Sequence, residues 1–116
     1  MIPFSLVLVT APNVRTARTI ARECLKARLA ACVNIVPGVE SHYWWQGKLE
    51  KGSESLLLIK TRSQLLPQLE KVILHKHPYE TPEFVAIELR TGSRKYLQWL
   101  ARETEPRAKA NRGACC

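Results

Sequence analysis

His77-Pro78-Tyr79-Glu80-Thr81-Pro82-Glu83 joins a helical pattern on one side to an apolar strand pattern on the other. It packs an imidazole, a phenol and two carboxylates into seven residues held by two prolines. A residue before proline avoids the helical basin, so His77 ends its helix and Thr81 enters the next strand extended. Side chains on so stiff a joint have little freedom left to lose.

Upstream, Leu65, Leu66, Leu69, Val72 and Ile73 form one apolar stripe of a helix that Ser63 can cap. Pro67 must lie in its first turn, because deeper in the helix it would break the pattern. Downstream, residues 84–89 read as a strand, and Gly92-Ser93 opens a short helix carrying Tyr96, Leu97 and Leu100. At the start of the chain, residues 4–10 are apolar on both faces, as in a central strand. Ala11-Pro12-Asn13 breaks that strand, and Asn13 suits an N-cap. Val14, Ala17, Ile20, Ala21, Cys24 and Leu25 then recur at helical spacing to an end near Arg28. Arg15, Arg18, Arg22 and Lys26 occupy the other side of that helix. Residues 31–46 and 49–61 read as two long extended segments around a Gln46-Gly47-Lys48 turn. Pro37-Gly38 interrupts the first of them, as a bulge or bend does.

The order is β-α-β-β-α-β plus a helix, the split arrangement of a ferredoxin-like α+β sandwich with a long hairpin between its second and third strands. One domain spans 1–103, and the polar residues 104–116 read as a disordered tail. Two helices cover only one face of such a sheet, yet Leu56-Leu57-Leu58-Ile59 is apolar on both. The second face leaves ~300–600 Å² of apolar surface in need of cover. Sixteen hairpin residues at ~3.3 Å each also overrun a body only ~34 Å across. Both features lead to the expectation of a homo-oligomer built by sheet-face and edge-strand contacts.

The chain has 116 residues and a net charge of +8. All ten acidic residues are Glu, which excludes Asp-rich calcium loops and aspartate-based phosphoryl chemistry. No apolar run reaches the ~18 residues of a membrane span. The opening apolar stretch has no basic residue before Arg15, so it reads as a strand rather than a signal peptide. A cytoplasmic chain with reduced thiols is expected.

His77 is the leading candidate metal ligand, since a helix C-terminus favours a cation. His75, Glu80 and Glu83 are close enough in sequence to assist, and imidazole with carboxylate suits copper or zinc. The alternative is that His77 caps its helix and hydrogen-bonds within the joint. Cys24 falls on the apolar stripe of its helix and Cys32 in a strand, a spacing that makes no zinc site. Cys115-Cys116 can take a soft metal, oxidise or be lipidated. The basic stripe can meet phosphates or simply be solvated. No aromatic residue is interleaved with it, so no nucleic-acid partner is expected. Without a phosphate-binding glycine loop or a nucleophile motif, no enzyme activity is expected.

The stretches Ala30-Ala31-Cys32-Val33-Asn34-Ile35-Val36-Pro37-Gly38 and Tyr43-Trp44-Trp45-Gln46-Gly47-Lys48-Leu49-Glu50 occur in order with Lys60-Thr61, the joint and Tyr96-Leu97-Gln98-Trp99. Together they resemble the CutA family of divalent-cation tolerance proteins over roughly residues 4–103. The resemblance implies a homotrimer similar in architecture to PII signalling proteins, with a part in copper or other divalent-metal tolerance and no enzyme activity. Animal members are further linked to membrane anchoring of acetylcholinesterase, which implies an alternative role as a scaffold. Bacterial members proposed to bind copper carry a Cys late in the first strand and a His-His pair before Pro-Tyr. Val9, Lys76 and His77 stand at those positions here, so one of three ligands is kept and His75 lies one position outside the pair. An inter-subunit pocket is expected from Trp44, Glu54, Lys60, Tyr79, Glu80 and Glu83. Glu54 and Lys60 share one face of a strand there, as a ligand-binding pair or an interface ion pair.

Overall fold

Asn13 starts the first helix as its residue type demands: extended itself, it accepts the Thr16 N–H on its side-chain oxygen at 2.8 Å. The computed structural model describes residues 3–105. Its elements are β1 (Phe4–Ala11), α1 (Val14–Lys26), β2 (Cys32–Trp45), β3 (Lys48–Arg62), a 3-10 turn (Ser63–Leu65), α2 (Leu66–Lys76), β4 (Val85–Leu89) and α3 (Arg94–Glu103). The strands form one antiparallel sheet in the order β2-β3-β1-β4. That order is the ferredoxin-like one, with α3 added and a long β2–β3 hairpin.

Three local details differ from the sequence reading. α1 stops at Lys26, because Arg28 turns left-handed at φ 59° and Leu29 N–H reaches back to the Cys24 carbonyl. Ser63 does not cap α2; it opens the 3-10 turn, with its hydroxyl oxygen 2.6 Å from that of Ser5 on β1. Pro67 sits in the first turn of α2, where its missing N–H costs nothing. The hairpin turn is one residue shorter than expected. Gln46 and Gly47 both have positive φ, the geometry that matches strand twist in a two-residue turn, and Lys48 already belongs to β3.

One cluster forms the core. Val7, Val9 and Ala11 of β1 and Leu57 and Ile59 of β3 pack against Ala17, Ile20, Ala21 and Cys24 of α1 and Leu69 and Ile73 of α2. These strand residues share one parity, so they line the helix-covered face. Burial pushes the Cys24 thiol up to about 12, with the Glu23 charge adding to it. Thiolate is the reactive form, so Cys24 resists alkylation in the native chain while the half-buried Cys32 reacts. Mass spectrometry after iodoacetamide treatment checks this: Cys24 is labelled at least a hundredfold more slowly than Cys32 until denaturant is added.

The other face behaves differently. Leu6, Leu8, Leu56 and Leu58 are only half-buried, and Val36, Val85 and Ile87 are exposed. α3 covers one end of it. Leu100 is fully buried there, and the Arg62 guanidinium donates to the Thr104 hydroxyl at 3.2 Å and the Ala101 carbonyl at 2.6 Å. A cation at the C-terminus of α3 suits the helix dipole.

Pro37-Gly38 is a β-bulge: Val36 pairs Leu56 and Val39 pairs Glu54, so two residues oppose Ser55 alone. Gly38 takes φ 70°, which only glycine adopts freely. Beyond the bulge the hairpin runs on as an arm, and residues 42–51 are all exposed. The molecule measures 52 × 33 × 22 Å, so the arm overhangs rather than folding back. Of the expected tail, residues 106–116 lie outside the described residues, with Cys115 and Cys116 among them. Thr104 is buried and donates to the Leu100 carbonyl at 2.7 Å, within the packed body.

Candidate functional site

Pro78 forces His77 out of the helical basin, and His77 takes φ −84°, ψ 135° directly after α2. The bend turns the imidazole inward, where it is buried. Nε2 lies 2.7 Å from the carbonyl oxygen of Thr10 on β1. A carbonyl only accepts, so Nε2 carries the proton. Nδ1 then accepts the Tyr79 backbone N–H at 3.2 Å. The ring is neutral with both nitrogens engaged, and it packs against Tyr79 at a centroid distance of 4.6 Å. His77 thus pins the joint to the end of β1.

Tyr79 carries the chain to β3. Its hydroxyl donates to Glu54 Oε2 at 2.9 Å. Burial first, then the hydrogen bond and charge of Glu54, push the phenol well above its ordinary value. Glu83 joins this group: although exposed overall, its carboxyl is partly desolvated, which raises its pKa, and the Glu54 charge raises it further. Both native pKa values exceed the unfolded ones, so each group favours the fold below its unfolded value. That share is lost as pH climbs through the native value. Glu83→Gln removes the acid-range part. Its stability, measured by denaturant titration, then declines less than the parent's from pH 4 to pH 7, by under about 1 kcal/mol because the site is open to water.

The six expected pocket residues do not gather within one subunit. Glu54, Tyr79 and Glu83 do, at the bulged end of the sheet. Lys60 lies six residues along β3 from Glu54, ~20 Å away, so no ion pair joins them within the subunit. Its ammonium instead donates to Asn34 Oδ1 at 3.0 Å and stands 5.7 Å from the centre of the Tyr96 ring. Trp44 pairs Leu49, whose parity places it on the opposite sheet face from Glu54 and Lys60. Glu80 is exposed on the joint.

The metal-ligand positions do not converge either. Val9 is buried in the core cluster, while Lys76 and His75 are exposed at the end of α2. His77 has no free lone pair in this arrangement. Among the described residues no group of three or more His, Cys, Asp or Glu side chains could hold a metal ion. The donor set of the described residues does not fit copper. Sequence reasoning missed the Thr10 carbonyl, because a backbone acceptor leaves no trace in residue type. It also missed Arg62, whose even parity with Lys60 would have placed it on the α3 side.

A ferredoxin-like sheet with a bulged overhanging hairpin and a His-Pro-Tyr joint against its first strand defines a class of small α+β chains. The description "CutA1 divalent ion tolerance protein" matches residues 5–103. The divalent-cation tolerance protein CutA of Thermus thermophilus is 48% identical over 99 residues, 85% of this chain and 96% of its own. The chloroplastic protein CutA 1 of Oryza sativa is 45% identical over 103 residues, 89% of this chain, but this chain spans only 58% of its length. The crystal structure of CutA1 from Oryza sativa superposes with a TM-score of 0.88 at 43% identity, covering 91% of this chain and 97% of its own. The Thermus thermophilus structure gives 0.82 at 47% identity, covering 84% and 94%. The chain belongs to the CutA family of divalent-cation tolerance proteins. Among the described residues no helix is long and apolar enough to cross a membrane.

Proposed function

We propose that this chain serves divalent-cation tolerance as a non-enzymatic homotrimer that binds a metal ion or small ligand where subunits meet. The observation that carries this reading is the open sheet face, whose apolar row Leu6, Leu8, Leu56, Leu58, Val85 and Ile87 has no cover among the described residues beyond the α3 end. The family's names refer to divalent ions and state no reaction. Glu54, Tyr79 and Glu83 lie at the border of that face, and Trp44, Lys60 and Glu80 reach them from neighbouring copies. Any copper or other divalent ion is held by groups gathered between copies, exposed His75 among them, while His77 holds the joint. The unpaired thiols Cys24 and Cys32 support a cytoplasmic setting.

Light scattering on the full chain tests the assembly: the reading requires three times the 13.2 kDa chain mass at micromolar concentration. Copper titration of the same sample, with native mass spectrometry for retained metabolites, tests the ligand. A trimer that takes up neither metal nor metabolite removes the binding half. A second reading, a trimeric scaffold that engages another protein or a membrane in the manner of an acetylcholinesterase anchor, draws on the hairpin tip. There Trp44 and Leu49 stand 70% and 69% exposed side by side.

A further inference from the structure

The outer face of α1 carries Arg15, Arg18, Arg22 and Lys26 in one line, all exposed. At ~1.5 Å of rise per residue the line is ~16 Å long, with steps of ~4.5 to ~6 Å between charges. The ion pairs among the described residues are Arg28–Glu103 and His42–Glu40, so none of the four cations is paired within them. Folding gains little from this arrangement: only Lys26, in the last turn of α1, sits where the helix dipole favours a cation. Neighbours at three- and four-residue spacing repel each other, and Arg15 sits in the first turn, where the helix dipole disfavours a cation. No acidic residue stands in that turn to offset it. A surface chosen only for solubility mixes both signs. The opposite side of α1, with Ala17, Ile20, Ala21 and Cys24, is spent on the core.

We propose that this face docks an acidic α-helix of a partner protein. A second helix repeats carboxylates at the same rise, so Glu or Asp at three- and four-residue intervals meets all four cations in register. Three of the four are Arg, whose planar fork pairs two-pronged with a carboxylate. Other anionic surfaces fit less well. The stripe has no aromatic residue for stacking, and the Thr19 hydroxyl beside it is turned back onto the Arg15 carbonyl at 3.1 Å. A lipid surface needs an apolar anchor, and Leu25, at the edge of the stripe, is the single large apolar residue there. The proposal does not depend on the trimer, because α1 covers the sheet face away from the open one.

The test is fluorescence anisotropy of the full chain with a synthetic helical peptide bearing Glu at i, i+3, i+7 and i+11. A peptide of the same composition with Glu spread around the helix is the control. The striped peptide should bind about tenfold or more tighter than the control and lose about tenfold between 50 and 200 mM salt. Arg18→Glu should weaken it about tenfold, and Lys26→Ala about two- to fivefold. Arg18→Glu creates opposite-charge neighbours with Arg15 and Arg22, so its melting temperature stays level or rises, which separates lost docking from lost fold. Should it melt lower, Arg18→Gln carries the same comparison. Equal affinity for the two peptides, indifference to Arg18→Glu, or tighter binding to duplex DNA or to phosphatidylserine vesicles overturns the proposal.

Discussion

Replacing His77 with alanine should cost about 2–4 kcal/mol of stability while leaving copper affinity unchanged. The substitution removes the Nε2–H donor from the Thr10 carbonyl and the Nδ1 acceptor from the Tyr79 N–H. Both backbone groups then lose their partner at a buried spot, and the missing ring leaves a cavity against β1. The effect spreads along the joint. Tyr79 is held between its own N–H on His77 and its hydroxyl on Glu54, so losing the first anchor loosens the second. Hydrogen exchange at the Tyr79 amide should speed up by more than the global destabilisation explains. His77→Gln, whose amide can still donate to Thr10, should recover part of the loss. A variant with unchanged stability and a tenfold weaker copper affinity would instead make this imidazole a ligand.

How far the sequence could be read depended on the kind of partner each residue has. Asn13, Pro67, the Gln46-Gly47 turn and the Pro37-Gly38 bulge were legible because each answers to backbone geometry that few residue types satisfy. The apolar stripes of α1 and α2 were legible because burial selects residues at a fixed period. Ser63 was misread because a hydroxyl serves an N-cap and a cross-strand neighbour equally well, and only the fold brings Ser5 beside it. The joint was recognised as important, but its chemistry was hidden. His77 looks the same in sequence whether it faces a metal or the Thr10 carbonyl. The pocket residues were collected from motifs, and strand register then placed Lys60 ~20 Å from Glu54 and Trp44 on the far face.

Leu58→Asp should convert the proposed trimer into a folded monomer at micromolar concentration. Leu58 sits in mid-sheet on the open face, with Leu8 across one ladder and Asn34 across the other. Four strands ~4.8 Å apart and about six residues long offer a face of ~400 Å², as large as the ~300–600 Å² patches that commonly mark a contact surface. In one subunit Leu58 is only half-buried, so a carboxylate there keeps access to water and the helix-covered core is untouched. In the proposed assembly the same carboxylate would be enclosed among leucines without a partner, a penalty of several kcal/mol repeated in each copy. The substitution therefore separates association from folding. Light scattering should report the single-chain mass, while circular dichroism keeps its shape and the melting temperature becomes concentration-independent. Leu49→Asp, on the exposed arm, carries the same charge outside the open face and should shift the association less. If Leu58→Asp remains trimeric, the leucines are not what holds the copies together, and the contact must be sought along the hairpin.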